Sequence, residues 1–256
     1  MVARVGDDLF GPATIANFTA RGIDAAHVRI TPGIASGVAP IFVDSSGQNR
    51  ILVVKGANDC LTSADVDEAA GLLRSADCIV LQLEIPVETV YHTLRFAREH
   101  EIPTILNPAP AQPLDLTIAG LAYYVVPNET EAEALAGKPV RDLEEARACT
   151  QRLLEGGLRR VILTMGANGA LYGDSSGVRH VPAFPVTPID TTGAGDAFIG
   201  SVACFLSAGY ALLESIARSN LYAALSTLAV GTQMSFVTRE RFDVEWAKLA
   251  RVAPLS

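Results

Sequence analysis

Four apolar runs of strand length, in "DCIVLQLE" (77–84), "PTILNPAPA" (103–111), "AYYVVPNE" (122–129) and "RVILTMG" (160–166), constrain this chain most. Helical patterns stand between them, in "PVETVYHTLRFAREH", "ETEAEALAG" and "LEEARACTQRLLEGG". Runs that are apolar throughout, without alternation, belong to strands covered on both faces. Strands of that kind alternating with helices make parallel βαβ units. The expected fold class is therefore α/β: a doubly wound, mostly parallel sheet with helices on both faces. Ahead of it, a helix is expected from Pro12 to about Arg21. "APIFV" and "RILVV" flank the polar turn "DSSGQN" as a hairpin. A helix over "SADVDEAAGLLRSA" has Ser63 as its expected N-cap. The early strands read as a small antiparallel β appendage on one domain spanning residues 1–256. No repeat of 20–50 residues interrupts this pattern.

Composition removes several function classes. The formal net charge of −8 and the lack of a dense Lys/Arg run argue against nucleic acid as a partner. Cys60, Cys78, Cys149 and Cys204 form no CxxC pair and no His stands at ligand spacing, so they read as free thiols in a reducing cytosol. "MVARVGDDLFG" is not a secretory signal. The uncharged stretches Ala197–Leu213 and Ser219–Thr238 carry Gly, Ser, Thr and Asn and read as buried helices, not membrane spans.

In open α/β sheets ligands sit beyond the carboxyl ends of the strands. Here those ends are Gln82–Glu84, Asn107–Ala111, Asn128–Glu131 and Thr164–Gly169. A further stretch, "IDTTGAGDAF" (189–198), sets Asp190 and Asp196 around a glycine turn ahead of an apolar helix. Backbone amides at such a helix start make an anion site. Asp196 then has two readings: a simple helix cap, or a base facing the anion site, as a phosphoryl acceptor's hydroxyl requires. GxxxxGK[ST] is absent and "GAGDAFIG" does not fit GxGxxG, which disfavours a P-loop enzyme and an NAD-dependent Rossmann enzyme.

"DTTGAGDAF" resembles the C-terminal signature of the ribokinase-like (PfkB) carbohydrate kinases. The likeness extends along the chain through "VGDDLFG", "GAN", "LQLE", "NPAPA", "PNETEAE", "LTMGANGA" and "GTQMS", with the ribokinase branch the nearest in pattern. The resemblance implies a kinase that transfers the γ-phosphate of ATP to the primary hydroxyl of a sugar, D-ribose first among them, with Mg²⁺ and K⁺ as cofactors. It makes Asp196 the base and Gly193, Ala194 and Gly195 the anion hole, with Glu84 on the sugar. Asn128, Thr164, Met165, Gly166, Ala167, Asn168, Gly169, Gly195 and Asn220 would lie along the nucleotide. Glu131 would organise Mg²⁺ through water. Asp190, Thr192, Ser226, Ala229, Gly231 and Ser235 would surround K⁺. Approximately residues 33–58 would be a β lid over the sugar, and paired lids would give a homodimer.

Each assignment has a plainer reading on the residues alone. Asn128 and Glu131 could open a helix, Asn220 could satisfy a buried carbonyl, and "NPAPA" is a rigid loop with no assigned chemistry. Family members also carry an earlier strand and a GGxGxN turn that this sequence does not contain before "VGDDLFG". The expectation is that Met1 is not the natural start, and that much of the sugar recognition lies in that segment. A non-catalytic nucleotide-binding remnant is the competing function, as is a kinase for another sugar or a nucleoside.

Overall fold

A computed structural model describes residues 1–43 and 49–250, and these fall into two compact units: those within 1–76 with 82–102, and 77–81 with 103–250. The first unit holds strands β1 (Val2–Gly6), β2 (His27–Thr31), β3 (Ile41–Val43) and β4 (Asn49–Ile51). Its helices are α1 (Phe10–Ala20), α2 (Ser63–Glu68), α3 (Ala70–Arg74) and α4 (Val87–Glu99). β1 and β2 pair in parallel, with α1 as the connection between them.

That register sets Arg4 directly opposite Arg29, an arrangement that repels unless a carboxylate stands between. Asp65 supplies it: Arg4 Nη2 lies 2.7 Å and Arg29 Nη1 3.5 Å from Asp65 Oδ1. Burial works to raise the Asp65 pKa, but the hydrogen bonds from Arg4 and Thr62 outweigh it, and the net shift is downward. The same carboxylate closes a capping box with Thr62, so Thr62 and not Ser63 caps α2. The single helix expected over 63–76 is two, meeting at Ala69.

β3 and β4 form the expected antiparallel pair, Ile41 opposite Ile51, and a backbone bridge joins Val38 to Val54. The turn expected within "DSSGQN" lies outside the described residues apart from Asn49.

The second unit contains β5 (Ile79–Leu81), β6 (Thr104–Leu106), β7 (Tyr124–Val125), β8 (Val161–Thr164), β9 (Ala170–Asp174) and β10 (Gly177–Val181) in one sheet, ordered β10-β9-β8-β7-β6-β5. β5 to β8 are parallel, as their apolar runs require; β9 and β10 return antiparallel at one edge. The helices are α5 (Leu116–Ala119), α6 (Glu129–Ala136), α7 (Leu143–Glu155), α8 (Ala194–Ser207), α9 (Leu212–Ser226) and α10 (Arg239–Ala250).

Both faces of this sheet are covered. Ala170 and Tyr172 pack with Phe198, Val202 and Ile216 of α8 and α9. Gly173, one residue out of step and therefore on the other face, abuts Thr150 and Leu154 of α7. This is the doubly wound α/β arrangement.

Ala197–Leu213 is helical to Ser207, but Ser219–Thr238, expected as one buried helix, is helical only to Ser226; residues 227–238 are turns and loop. Beyond them α10 closes a cluster of Phe205, Leu221, Leu225 and Phe242. Beside it, Arg218 pairs with Glu214 at 2.7 Å, and its guanidinium carbon lies 4.2 Å from the Tyr210 ring centre and 4.4 Å from that of Trp246. Among the described residues no helix is long and apolar enough to cross a membrane, and all four cysteines are free.

Candidate active site

α8 begins where the glycine turn ends. Gly193 is its N-cap, with φ +82°, a left-handed conformation natural only to glycine. A Cβ there would also stand 3.3 Å from Thr232 Cα, so the 231–232 segment lies against the turn. The Ala194 amide donates to Thr191 O (3.2 Å). Gly195 and Asp196 follow in the first turn, where the helix supplies no acceptor for the amides and its dipole is positive.

Asp196 is solvent-exposed, yet enough protein crowds it that desolvation pushes its pKa above the ordinary carboxylate value. It borders a cavity of about 290 Å³, whose lining includes Phe205, Tyr222, Phe236 and Phe242. The larger groove, about 490 Å³ along Lys138–Glu155, contains none of the candidate residues.

Asp190 sits below the same turn. Its Oδ1 accepts from Thr192 N (2.9 Å) and its Oδ2 from Gly231 N (3.0 Å), and these bonds, Gly231 first, lower its pKa. Its own amide donates to Thr227 O (3.1 Å), so residues 190–192 are stitched to 227–231. Ser226 Oγ is spent on Ala223 O (2.8 Å). Ser235 is buried, and its Oγ has no hydrogen-bond partner among the described residues.

A third group gathers at the ends of β6, β7 and β8. Asn128 and Glu131 form a capping box at the start of α6: Asn128 Oδ1 accepts from Glu131 N, and Asn128 N donates to Glu131 Oε2, both at 2.9 Å. Asn128 Nδ2 reaches Glu131 Oε1 at 2.9 Å. Burial raises the Glu131 pKa, partly offset by the bonds from Asn128 and Asn107. Thr164 N donates to Pro127 O (2.9 Å), which sets the end of β8 beside the residue preceding Asn128.

Residues 164–169 then make a tight turn, with Gly166 at φ +48°, Gly169 at φ +85° and the Met165 side chain buried. Asn220 is buried on α9, and its Nδ2 donates to Val181 O (3.0 Å) and Pro182 O (3.1 Å). The plainer reading of Asn220 therefore describes it in this structure. Asn220→Leu leaves two carbonyls without their donor and is expected to cost about 1–3 kcal/mol. Denaturant unfolding measures this, and unchanged stability would show that the two bonds carry no weight. Glu84 belongs to the first unit; it is half-buried, and its amide donates to the Gln82 side chain.

The structure thus brings together Asp190, Thr192, Gly193 and Gly231 in one place, and Asn128, Glu131 and Thr164 in another. One contact of this group has no counterpart in the sequence reading, which places Asn107 of "NPAPA" at a ligand-facing strand end but gives it no chemistry: its side chain donates to Val126 O (2.9 Å) and Glu131 Oε2 (3.2 Å). Only a partner 24 residues away shows its role.

Comparison with known proteins identifies the family. The profile of the pfkB family carbohydrate kinases matches residues 1–239. A deoxyribokinase from Salmonella typhi is 44% identical over 95% of this chain and 80% of its own length. A ribokinase from Bacillus subtilis is 37% identical over the same shares. Among solved structures, Arabidopsis thaliana ribokinase complexed with ribose and ATP superposes with a TM-score of 0.88 at 25% identity, over 95% of this chain and 80% of that one. The chain belongs to the pfkB family of carbohydrate kinases.

Proposed function

We propose that this kinase transfers the γ-phosphoryl group of ATP to the primary hydroxyl of a pentose. The observation that carries the reading is Asp196 in the first turn of α8, directly after the left-handed glycine turn. A carboxylate with a raised pKa at the positive end of a helix is placed to take a proton beside an anion. The hydroxyl's proton passes to Asp196 as its oxygen bonds to the γ-phosphorus. The bond from that phosphorus to the β,γ-bridging oxygen breaks, and ADP leaves. Amides of the 193–195 turn stabilise the charge on the transferred group. Asn128 and the 164–169 turn lie along the nucleotide, and Glu84 takes the sugar.

Two cations are tested against the residues present. Among the described residues no group of three acidic, His or Cys side chains could cage a metal. Mg²⁺ in such enzymes keeps several waters and is held through one or two carboxylates with the substrate's phosphates. Glu131 Oε1, with one hydrogen bond, can still accept from such a water. When bound, Mg²⁺ neutralises charge on the phosphates. For K⁺, the Asp190 carboxylate and the buried, unpartnered Ser235 Oγ are oxygen ligands of the right hardness, with Thr192, Ser226, Ala229 and Gly231 completing the set.

Exposed Ile34, Val38, Leu52, Val53 and Val54 around the β3–β4 pair support its assignment as a lid that pairs with that of a second copy.

D-Ribose is the first acceptor by pattern, and 2-deoxy-D-ribose is the second reading, favoured by the 44% identity to a deoxyribokinase. ADP release with ATP, Mg²⁺ and each pentose, with and without K⁺, decides between them. Pentose-dependent, K⁺-stimulated turnover is expected, and Asp190→Ala should lose the stimulation. A folded chain that binds ATP but turns over neither pentose would reject the pentose reading and leave a kinase for another acceptor or a nucleotide-binding remnant, which a panel of other sugars and nucleosides separates.

A further inference from the structure

Asn107 follows β6 and is tied at three points. Its amide donates to Leu81 O of β5 (2.8 Å), and its side-chain Nδ2 to Val126 O after β7 (2.9 Å) and to Glu131 Oε2 (3.2 Å). The two oxygens of Glu131 are then unequal. Oε2 receives Asn128 N and Asn107 Nδ2, and among the described residues Oε1 receives only Asn128 Nδ2. A carboxylate oxygen has about two good acceptor directions, so Oε2 is saturated and Oε1 is not.

We propose that Asn107 is a positioning residue, saturating Glu131 Oε2 so that Oε1 is the oxygen left for the water shell of nucleotide-bound Mg²⁺. The proposal rests on the assignment of Glu131 to Mg²⁺ above. Asn107 would touch neither the nucleotide nor the metal; it would act by fixing the rotation of a buried carboxylate from a neighbouring strand end. Partners one shell out from a metal commonly carry 10–100-fold in affinity.

The test is calorimetric titration of the full chain with ATP across a series of Mg²⁺ concentrations and without sugar, so that no turnover enters. Asn107→Asp keeps the shape and replaces the donor with an acceptor. The Mg²⁺ concentration that half-saturates the tightening of ATP binding should rise about 10-fold or more. Asn107→Ser, smaller and still a donor, replaces it if Asn107→Asp does not fold, with a rise in the same direction. In a Glu131→Gln background the same substitutions should add less than about 2-fold, because two residues acting through one contact are not additive. Equal fold-changes in both backgrounds, or a lowered Tm with unchanged Mg²⁺ dependence, would assign Asn107 a structural role only and overturn the proposal. If Glu131→Gln alone leaves the Mg²⁺ dependence unchanged, the Glu131 assignment itself fails and the Asn107 proposal falls with it.

Discussion

Asp196→Asn should lower kcat by about 10²–10⁴, the range of a positioned general base, while ATP affinity stays at the wild-type value. The split is expected because the substitution removes a proton acceptor and leaves the Gly193 turn and the first-turn amides in place. The wild-type pH profile should show the same group. A base works when ionised, and desolvation raises its pKa, so the acid limb of kcat/KM should lie above the usual carboxylate range.

Stability should respond in the opposite sense. A carboxyl with a raised folded-state pKa contributes stability below its unfolded value and loses that contribution as pH rises through the folded value. At neutral pH the ionised Asp196 therefore opposes folding, so the Asn variant should melt no lower than wild type, with the difference fading in acid. The gain is small because the side chain is exposed to solvent. Wild-type turnover in Asp196→Asn would end its assignment as the base.

Gly169→Ala should give the larger structural effect. Gly169 has φ +85° and ψ −133°, a combination that only glycine adopts at low cost. An added Cβ would stand 2.2 Å from Val181 O, 2.5 Å from Ala183 N and 2.6 Å from Pro182 C. All three are backbone atoms, and Asn220 holds the Val181 and Pro182 carbonyls. The segment cannot shift without breaking those bonds. Strain and overpacking together predict a loss of about 2–4 kcal/mol, or a fall in Tm of roughly 4–16 °C. ATP affinity should fall with it if the 164–169 turn lies along the nucleotide. Weakened ATP binding at unchanged Tm would point to a direct nucleotide contact instead, and an unchanged variant would contradict the geometry.

The parts of this fold that were legible in sequence share one physical property. β6 to β8 lie inside the sheet and are almost wholly buried, and edge strand β5 exposes only Val80, so their side chains are nearly all apolar, and such runs are visible without knowledge of their neighbours. β1 and β2 were missed because Arg4 and Arg29 interrupt them, and those arginines make sense only once Asp65 stands between them. β10 was missed because an antiparallel edge strand exposes Arg179 and His180 to water. The cap at Thr62 was misplaced by one residue, since Thr62 and Ser63 are both good caps and only the bond to Asp65 selects between them.

The same division runs through the candidate site. "TTGAGD" is legible because a turn with φ above zero demands glycine, and the carboxylate proposed as the base is visible as a residue type. The surroundings of Asp190 are built partly from backbone groups, which leave no mark on residue identity. Asn107 acts across two strands, a relation that periodicity and spacing do not carry.

The Arg218 cluster has a practical consequence for any study of this protein in solution. Trp246 is the chain's single tryptophan, and it lies against Tyr210's neighbour Arg218 and the rings of Phe184 and Phe242 in the second unit. Indole emission is thus a spectroscopic reporter placed in that helical layer. A melting curve followed at this wavelength has its probe beside α9 and α10, and the ring's described contacts all lie in the second unit, none in β1, β2 or the β3–β4 pair. Work on the first unit needs a second chromophore, placed there by design.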